Sequence, residues 1–223
     1  MTSTEPCFIG VDLGTSGCRA VAIDRERSVI AQVRTALPQP VRIGAGGIEQ
    51  DPRLWWDALV RILRELTDRV KPFTPEALCV DGTSSTLLLC DRDGTPLGPA
   101  LMYNDVQSRA EAALIDSAVP PQSPARGASS SLAKLLHLKR RLRPAPTSLA
   151  LHQADWILGR LSGRFGVSDW NNCLKLGYDP QVERWPEWLL DLGIQPVGLP
   201  EVNAPGTILG PLSAAAAEAT GLP

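Results

Sequence analysis

The sequence has few of the residues that metal sites usually need. It contains two histidines and five cysteines, and no pair of cysteines has the CxxC spacing typical of zinc ligands. Neither histidine lies near a pair of cysteines, so a zinc site is disfavoured, and we expect His137 and His152 on helix surfaces. The cysteines lie mostly in apolar, strand-like runs, which predicts buried and reduced thiols.

Long apolar runs and concentrated positive charge are also missing. No stretch approaches the length of a membrane span, and residues 1–6 lack the basic and apolar regions of a targeting signal. The formal net charge is −2, and the nearest basic run, residues 139–143, ends a predicted amphipathic helix whose dipole favours cations there. We therefore expect a cytoplasmic protein that binds neither nucleic acid nor a membrane.

What the chain does contain is enough apolar sequence for a substantial core. Of its 223 residues, 43% are hydrophobic, and their spacing predicts a β-meander, a helix that begins near Asp51-Pro52, and a fully buried strand over residues 77–81. This order predicts an α/β domain of the ribonuclease-H-like type found in actin-like ATPases, a mixed sheet with flanking helices. The meander strands are predicted over residues 7–12, 18–24 and 28–36, and later helices over 105–117, 130–143, 153–161, 186–192 and 212–220.

The turn between the first two predicted strands has the composition of a phosphate- and metal-binding hairpin. Asp12 ends an apolar strand, and a turn of small residues, 14–17, follows it, with hydroxyl groups on Thr15 and Ser16. A carboxylate at a strand end can hold Mg²⁺ through water, while backbone N–H groups and hydroxyls donate to phosphoryl oxygens. A β-rich segment follows the turn, whereas a P-loop or dinucleotide fingerprint needs a helix. An ordinary β-turn, in which Asp12 accepts from nearby backbone donors, is the alternative that this motif alone leaves open.

A second polar turn follows the strand predicted over residues 77–81. It runs through residues 81–86 and repeats the aspartate, glycine, threonine and serine of the hairpin. A second site there is one interpretation, and chance similarity between two strand ends is the other. The role of Asp81 therefore stays open.

Together these segments resemble the N-terminal domain of the FGGY family of carbohydrate kinases, from about Phe8 to the C-terminus. The motifs that match the family are residues 12–17 with Arg19, residues 49–56, residues 81–91 and residues 103–105. Within the family, the chain is most similar to the D-ribulokinase or xylulokinase-like subgroup, on the basis of residues 130–135, 153–156, 166–172 and 174–179. The resemblance thus implies a ketopentose substrate, D-ribulose first and D-xylulose second, with glycerol well behind.

The resemblance also implies roles for individual residues. The reaction would transfer the γ-phosphoryl group of MgATP to a terminal sugar hydroxyl, in a cleft between two domains. Asp12 would hold Mg²⁺ through water and help to position the phosphoryl group. The residues implied to face that group are Gly14, Thr15, Ser16, Gly17 and Arg19. The residues implied to bond the sugar are Ser84, Ser85 and Asn104, for which simple turn chemistry is the alternative.

The same resemblance assigns residues 1–223 to the N-terminal domain alone. The proton-accepting aspartate and the C-terminal ATPase domain of the family are expected beyond Pro223, so we expect this chain to be inactive by itself. Asp169 is a candidate substitute base, but we favour a buried Asp169 that accepts from neighbouring backbone N–H groups. The competing hypothesis is a non-catalytic sugar-binding or interaction module that self-associates through an apolar surface after Pro205.

Overall fold

The fold begins with a three-stranded antiparallel meander. The structure is a computed structural model that describes residues 5–195 and 198–223. Strands β1 (Pro6–Leu13), β2 (Gly17–Ile23) and β3 (Val29–Ala36) pair in sequence order, as the apolar pattern predicts. In β1 the odd-numbered side chains from Cys7 to Leu13 are buried, which gives the sheet one clearly apolar face.

One long helix covers that apolar face. After the hairpin of β4 (Val41–Ile43) and β5 (Gly47–Gln50), helix α1 (Arg53–Arg69) buries a stripe of apolar side chains, and β6 (Thr74–Gly82) follows it. β6 pairs in parallel with β1, so the order of the sheet is β3-β2-β1-β6. The buried residues of α1 are Trp55, Ala58, Leu59, Ile62, Leu63 and Leu66.

The prediction that residues 77–81 form a fully buried strand is wrong. These residues alternate between exposed and half-buried, because β6 is an edge strand of the sheet in the described part of the chain. Its side chains line a groove of about 680 Å³ together with the segment from Asn203 to Leu212. An apolar run indicates that a strand can be buried, but it does not say how many neighbours the strand has.

A second, antiparallel sheet packs beside the first. It contains β7 (Leu87–Cys90), β8 (Ala100–Leu101) and β9 (Leu149–His152), in the order β4-β5-β8-β7-β9. Helix α3 (Ser131–Leu142) buries its apolar face against it, and helix α2 (Arg109–Ala118) packs against α3. This sheet forms a separate hydrophobic cluster whose fully buried members include Leu87, Leu101, Ile115, Leu132, Leu138 and Leu176.

The remaining elements surround the two sheets. They are α4 (Gln153–Ser162), β10 (Val167–Asp169), α5 (Trp170–Cys173), a 3₁₀ turn (Leu174–Leu176), α6 (Trp188–Asp191), β11 (Glu201–Asn203) and α7 (Ala214–Thr220). The five later helices predicted from sequence are present, although α2 begins four residues late and α6 is short. The mixed sheet with flanking helices confirms the α/β class. Within the described ranges, no helix combines the length and apolar character that crossing a bilayer requires.

The cysteines and histidines lie partly where the sequence predicts. Four of the five cysteines are buried and unpaired, as expected, and Cys79 on β6 is exposed.

The prediction of surface histidines is wrong. His152 is fully buried at the end of β9, and the His137 side chain on α3 is only 12% exposed. His152 tolerates burial because its ring nitrogens lie 3.1 Å from Asp155 Oδ2 and 2.9 Å from Ser131 Oγ.

Candidate functional site

The candidate site lies where β1 and β6 end side by side. In the parallel register of these strands, Asp12 and Asp81 are direct partners, and both are exposed. Neighbouring strands lie about 4.8 Å apart, so the two aspartates are backbone neighbours near the C-terminal ends of β1 and β6. The hairpin after Asp12 and the turn after Asp81 therefore open on the same side of the molecule.

The hairpin itself is compact and internally bonded. Gly14 N donates to Gly17 O at 2.9 Å, and Leu37 N donates to Ser16 O at 2.9 Å. Gly17 is needed because a Cβ atom there would lie 2.9 Å from the backbone oxygen of Thr35 on β3. Neither Gly14 nor Gly17 has a positive φ, so close approach rather than an unusual backbone conformation explains the second glycine. Thr15 is half-buried and Ser16 is exposed.

Asp12 pairs with a side chain across the hairpin. Its Oδ2 lies 3.3 Å from Arg19 Nη2, and the two side chains are 58% and 52% exposed. The two residues are direct partners in the β1–β2 register. This geometry places a carboxylate and a guanidinium at the mouth of the hairpin. The Asp12 carboxylate suits a hydrated cation, and the Arg19 guanidinium suits a phosphoryl oxygen.

The turn after β6 is tied to the start of α4. Thr83 donates to Gln153 Oε1 from its backbone N at 3.0 Å and from its hydroxyl at 2.7 Å. The hydroxyls of Thr83 and Thr86 are 2.7 Å apart, and Asp81 Oδ1 accepts from Gly82 N at 2.9 Å. Gln153 was not predicted as a site residue. It is fully buried, and its Nε2 has no hydrogen-bond partner among the residues that the structure describes.

The three residues implied to bond a sugar differ in exposure. Ser84 and Asn104 are exposed, while Ser85 is 1% exposed and its hydroxyl has no hydrogen-bond partner within the described part of the chain. Ser85 also has a φ of +64°, an unfavourable backbone conformation for a residue with a side chain. The two loops that carry these residues lie at the same end of the second sheet, because Leu87 and Leu101 pair directly between β7 and β8.

A buried lysine connects these two loops. Lys134 on α3 is fully buried, and its Nζ donates to Ser85 O at 2.7 Å and to Tyr103 O at 3.1 Å. Burial lowers the pKa of Lys134 to about 7, although the nearby Asp105 carboxylate opposes this shift. Sequence reasoning missed this residue. The available signal was its position four residues before Leu138, on the apolar face of α3.

Asp169 has a local structural contact. It ends β10, is half-buried, and its Oδ1 accepts from Asn172 N at 2.9 Å as the N-cap of α5. This is the backbone contact that we favoured, although burial is only partial. In the described residues, no three histidine, cysteine, aspartate or glutamate side chains are grouped to hold a metal ion.

Comparison with known proteins places this geometry in a family. The family model that describes the N-terminal domain of the FGGY family of carbohydrate kinases matches residues 7–223 of this chain. A xylulose kinase of Streptomyces rubiginosus is 30% identical over 226 residues, which cover 94% of this chain and 45% of that protein. The chain therefore spans about half the length of such relatives.

Solved structures agree on the fold. A xylulose kinase from Rhodospirillum rubrum superposes with a TM-score of 0.86 at 26% identity, over 96% of this chain and 46% of that one. A gluconate kinase from Lactobacillus acidophilus superposes with a TM-score of 0.87 at 20% identity, over 99% of this chain and 46% of that one. The ribonuclease-H-like, actin-like ATPase fold predicted from the order of elements is confirmed.

Proposed function

Because the chain belongs to the FGGY family of carbohydrate kinases, we propose that it forms one side of the active site of an ATP-dependent ketopentose kinase. The observation that carries the proposal is the alignment of two strand ends, where Asp12 and Asp81 are register partners with polar turns beyond them. One turn is the phosphate hairpin, and the other leads to the sugar-facing serines.

At the nucleotide end, Asp12 would hold Mg²⁺ through water, and Gly14, Thr15, Ser16 and Gly17 would face the transferring phosphoryl group with Arg19. Exposure of the Asp12 carboxylate supports this role, since a metal that keeps its water shell needs space around the ligand. Mg²⁺ would supply charge neutralisation at the phosphoryl oxygens. The Arg19 guanidinium supplies positive charge from the protein itself, at the same mouth.

At the sugar end, Ser84, Ser85 and Asn104 bond the ketose. Ser84 and Asn104 are exposed, and short side chains leave room for a five-carbon chain. The Ser85 hydroxyl is buried, so it contacts the sugar only after turning outward. D-Ribulose is preferred on the subgroup resemblance, while the relatives named xylulose kinase favour D-xylulose as the competitor.

These residues make up only part of such a site. The chain covers 45% of the length of its Streptomyces relative, and none of the residues assigned here accepts the proton from the sugar hydroxyl. We expect the 223 residues to bind a ketose weakly and to release ADP at a negligible rate. Activity would return when the remaining part of such a kinase is added.

Titration of the chain with D-ribulose, D-xylulose and glycerol, followed by NMR, tests the sugar assignment. D-Ribulose should bind most tightly and glycerol least. Ser84→Ala should weaken ketose binding about five- to tenfold, the value of one hydrogen bond. Ser117→Ala is the matched control, because Ser117 is also exposed and its hydroxyl donates to a carbonyl of its own helix. Preference for glycerol, or rapid ADP release by the chain alone, would contradict the proposal.

A second candidate function is a non-catalytic sugar-binding module that self-associates. The groove beside β6 and the 91% exposed Ile208 support it, since both leave apolar surface uncovered. Sedimentation at increasing concentration distinguishes the candidates. Dimerisation that Ile208→Asp abolishes would favour the module, and a strict monomer that binds ketose would count against it.

A further inference from the structure

We propose that Lys134 is a positioning residue that couples the two sugar-facing loops, residues 83–86 and residues 102–105, into one unit. The link to sugar rests on the proposed function. The coupling itself is a property of the folded chain and can be measured without any ligand.

The position of the Lys134 amine is fixed by the helix that carries it. Ser130 caps α3, because its Oγ accepts a hydrogen bond from Ala133 N at 3.1 Å. Ala133 directly precedes the lysine. Leu132, Leu135 and Leu138 are buried around it in the second hydrophobic cluster. The side chain therefore extends from an anchored turn, and its Nζ can reach both loops at once without rearrangement of the helix.

In the described ranges, the two loops share little other direct bonding. β7 and β8 pair at one register position, Leu87 with Leu101, immediately beyond the loops. Lys134 Nζ then adds a bond to each loop, at Ser85 O and Tyr103 O. The first acceptor belongs to the residue with φ +64°, so the lysine bonds the loop at its least favourable backbone position.

The coupling does not require a charged lysine. A protonated amine has three hydrogens and a neutral amine has two, and the two loops supply two carbonyl acceptors. Burial disfavours the charged form of Lys134. The Asp105 carboxylate favours the charged form, and the positive charge of Lys175 disfavours it. Both forms can keep both hydrogen bonds, so the arrangement persists on either side of neutrality.

Hydrogen exchange in Lys134→Met tests the coupling. Methionine fills similar space but donates nothing, so amides in both loops should exchange at least tenfold faster. Suitable reporters are Thr86 N, which donates to Thr83 O, and Asp105 N, which donates to Met102 O. Gly14 N in the phosphate hairpin should keep its rate. Acceleration in only one loop, in neither, or throughout the chain would overturn the proposal.

Lys139→Met is the matched control. Lys139 lies on the same helix, and its Nζ also donates to a backbone carbonyl, that of Gly193 at 3.0 Å. Its loss should leave both loops unchanged. If Lys134→Met does not fold, the unaltered chain still gives a test. NMR should detect couplings across hydrogen bonds from Lys134 Nζ to the carbonyl carbons of Ser85 and Tyr103, and their absence would refute the geometry.

Sugar titration separates this inference from the proposed function. Lys134→Met should bind D-ribulose at least tenfold more weakly than the unaltered chain. Faster loop exchange with unchanged ketose affinity would leave Lys134 as a structural link and reject its positioning role. If the unaltered chain binds no ketose, the proposed function fails, while the exchange rates still decide whether Lys134 couples the loops.

Discussion

Asp12 and Arg19 form an exposed ion pair, and this exposure separates their role in binding from any role in stability. A pair more than half exposed contributes at most about 1 kcal/mol to folding. The same exposure leaves the carboxylate open to a hydrated metal ion. Function and stability should therefore respond very differently to a change at position 12.

Asp12→Asn should weaken metal–nucleotide binding at the hairpin at least tenfold and leave folding intact. Mn²⁺ with ATP should broaden the amide signals of residues 13–17 in the unaltered chain, and at least ten times more Mn²⁺–ATP should be needed in the variant. Asp68→Asn is the control, because Asp68 is also exposed and ion-paired, with Lys71 on α1's C-terminal side. Equal broadening in Asp12→Asn would show that the carboxylate does not hold the metal.

The effect of a substitution at Ser85 on stability should depend on whether the new residue tolerates the backbone conformation there. Its φ of +64° is acceptable to glycine and costly for a β-branched residue. We expect Ser85→Gly to change the free energy of unfolding by less than about 1 kcal/mol, and Ser85→Val to lower it by about 2 kcal/mol or more. Urea denaturation measures both, and similar effects of the two variants would mean that the left-handed conformation is not required.

At the level of single residues, the sequence predicted Asp12, Ser84 and Asn104 at the ends of strands or in turns, and the structure shows that all three are exposed. It did not predict the burial of Ser85, because a serine in a polar turn is usually solvated. It also missed Lys134, since a lysine in an amphipathic helix normally lies on the polar face. Both depend on how loops from distant parts of the chain pack together, which no local pattern records.

Among the secondary-structure elements, the pairing of β2 with β3 requires the two backbones to approach closely at Gly17. A side chain there would press on the backbone oxygen of Thr35, which cannot rotate away. Gly17→Ala should therefore lower the free energy of unfolding by about 1–3 kcal/mol.

Gly10→Ala is the matched control for that variant. Gly10 lies in β1 of the same sheet, and a Cβ atom there would meet nothing within 4 Å. Thermal or urea unfolding should show no loss of stability, or a gain of up to about 1 kcal/mol. Equal losses at both glycines would mean that the Thr35 contact is unimportant.

The longer elements were predictable and the short ones were not. The meander, α1, α3 and α4 have clear periodicity over several turns or alternations, and their predicted bounds lie within a few residues of those observed. In the second sheet, β4, β5 and β9 were missed, because they have only three or four residues each, too few for a pattern. The exposure of β6 was mispredicted because strand neighbours are set by topology and not by composition.

For the whole molecule, stability should reach a maximum near pH 9. The folded pKa of Lys134 is about 7 against 10.5 when unfolded, so above pH 7 the unfolded chain binds more protons and stability rises with pH. Burial raises the pKa of Cys18 and Cys90 to about 12 from 9.0, so above pH 9 the unfolded chain binds fewer protons and stability falls.

Urea unfolding between pH 6 and 10 measures both the rise in stability below pH 9 and the fall above it. The rise attributable to Lys134 is at most about 1.4 kcal/mol per pH unit, and Lys134→Met should remove it. Cys90→Ala should reduce the fall at high pH and leave the rise unchanged. A profile that Lys134→Met does not alter would show that the buried amine keeps an ordinary pKa.

The exposure of Cys79 gives the molecule one accessible thiol beside the candidate site. Cys79 lies two residues before Asp81 and pairs in register with Gly10 of β1, whereas the other four thiols are buried. Thiol reagents attack the deprotonated and reachable form, so a maleimide dye should attach at one position per chain without removal of any cysteine. The chain thus provides its own attachment point for a fluorophore that senses events at the ends of β1 and β6.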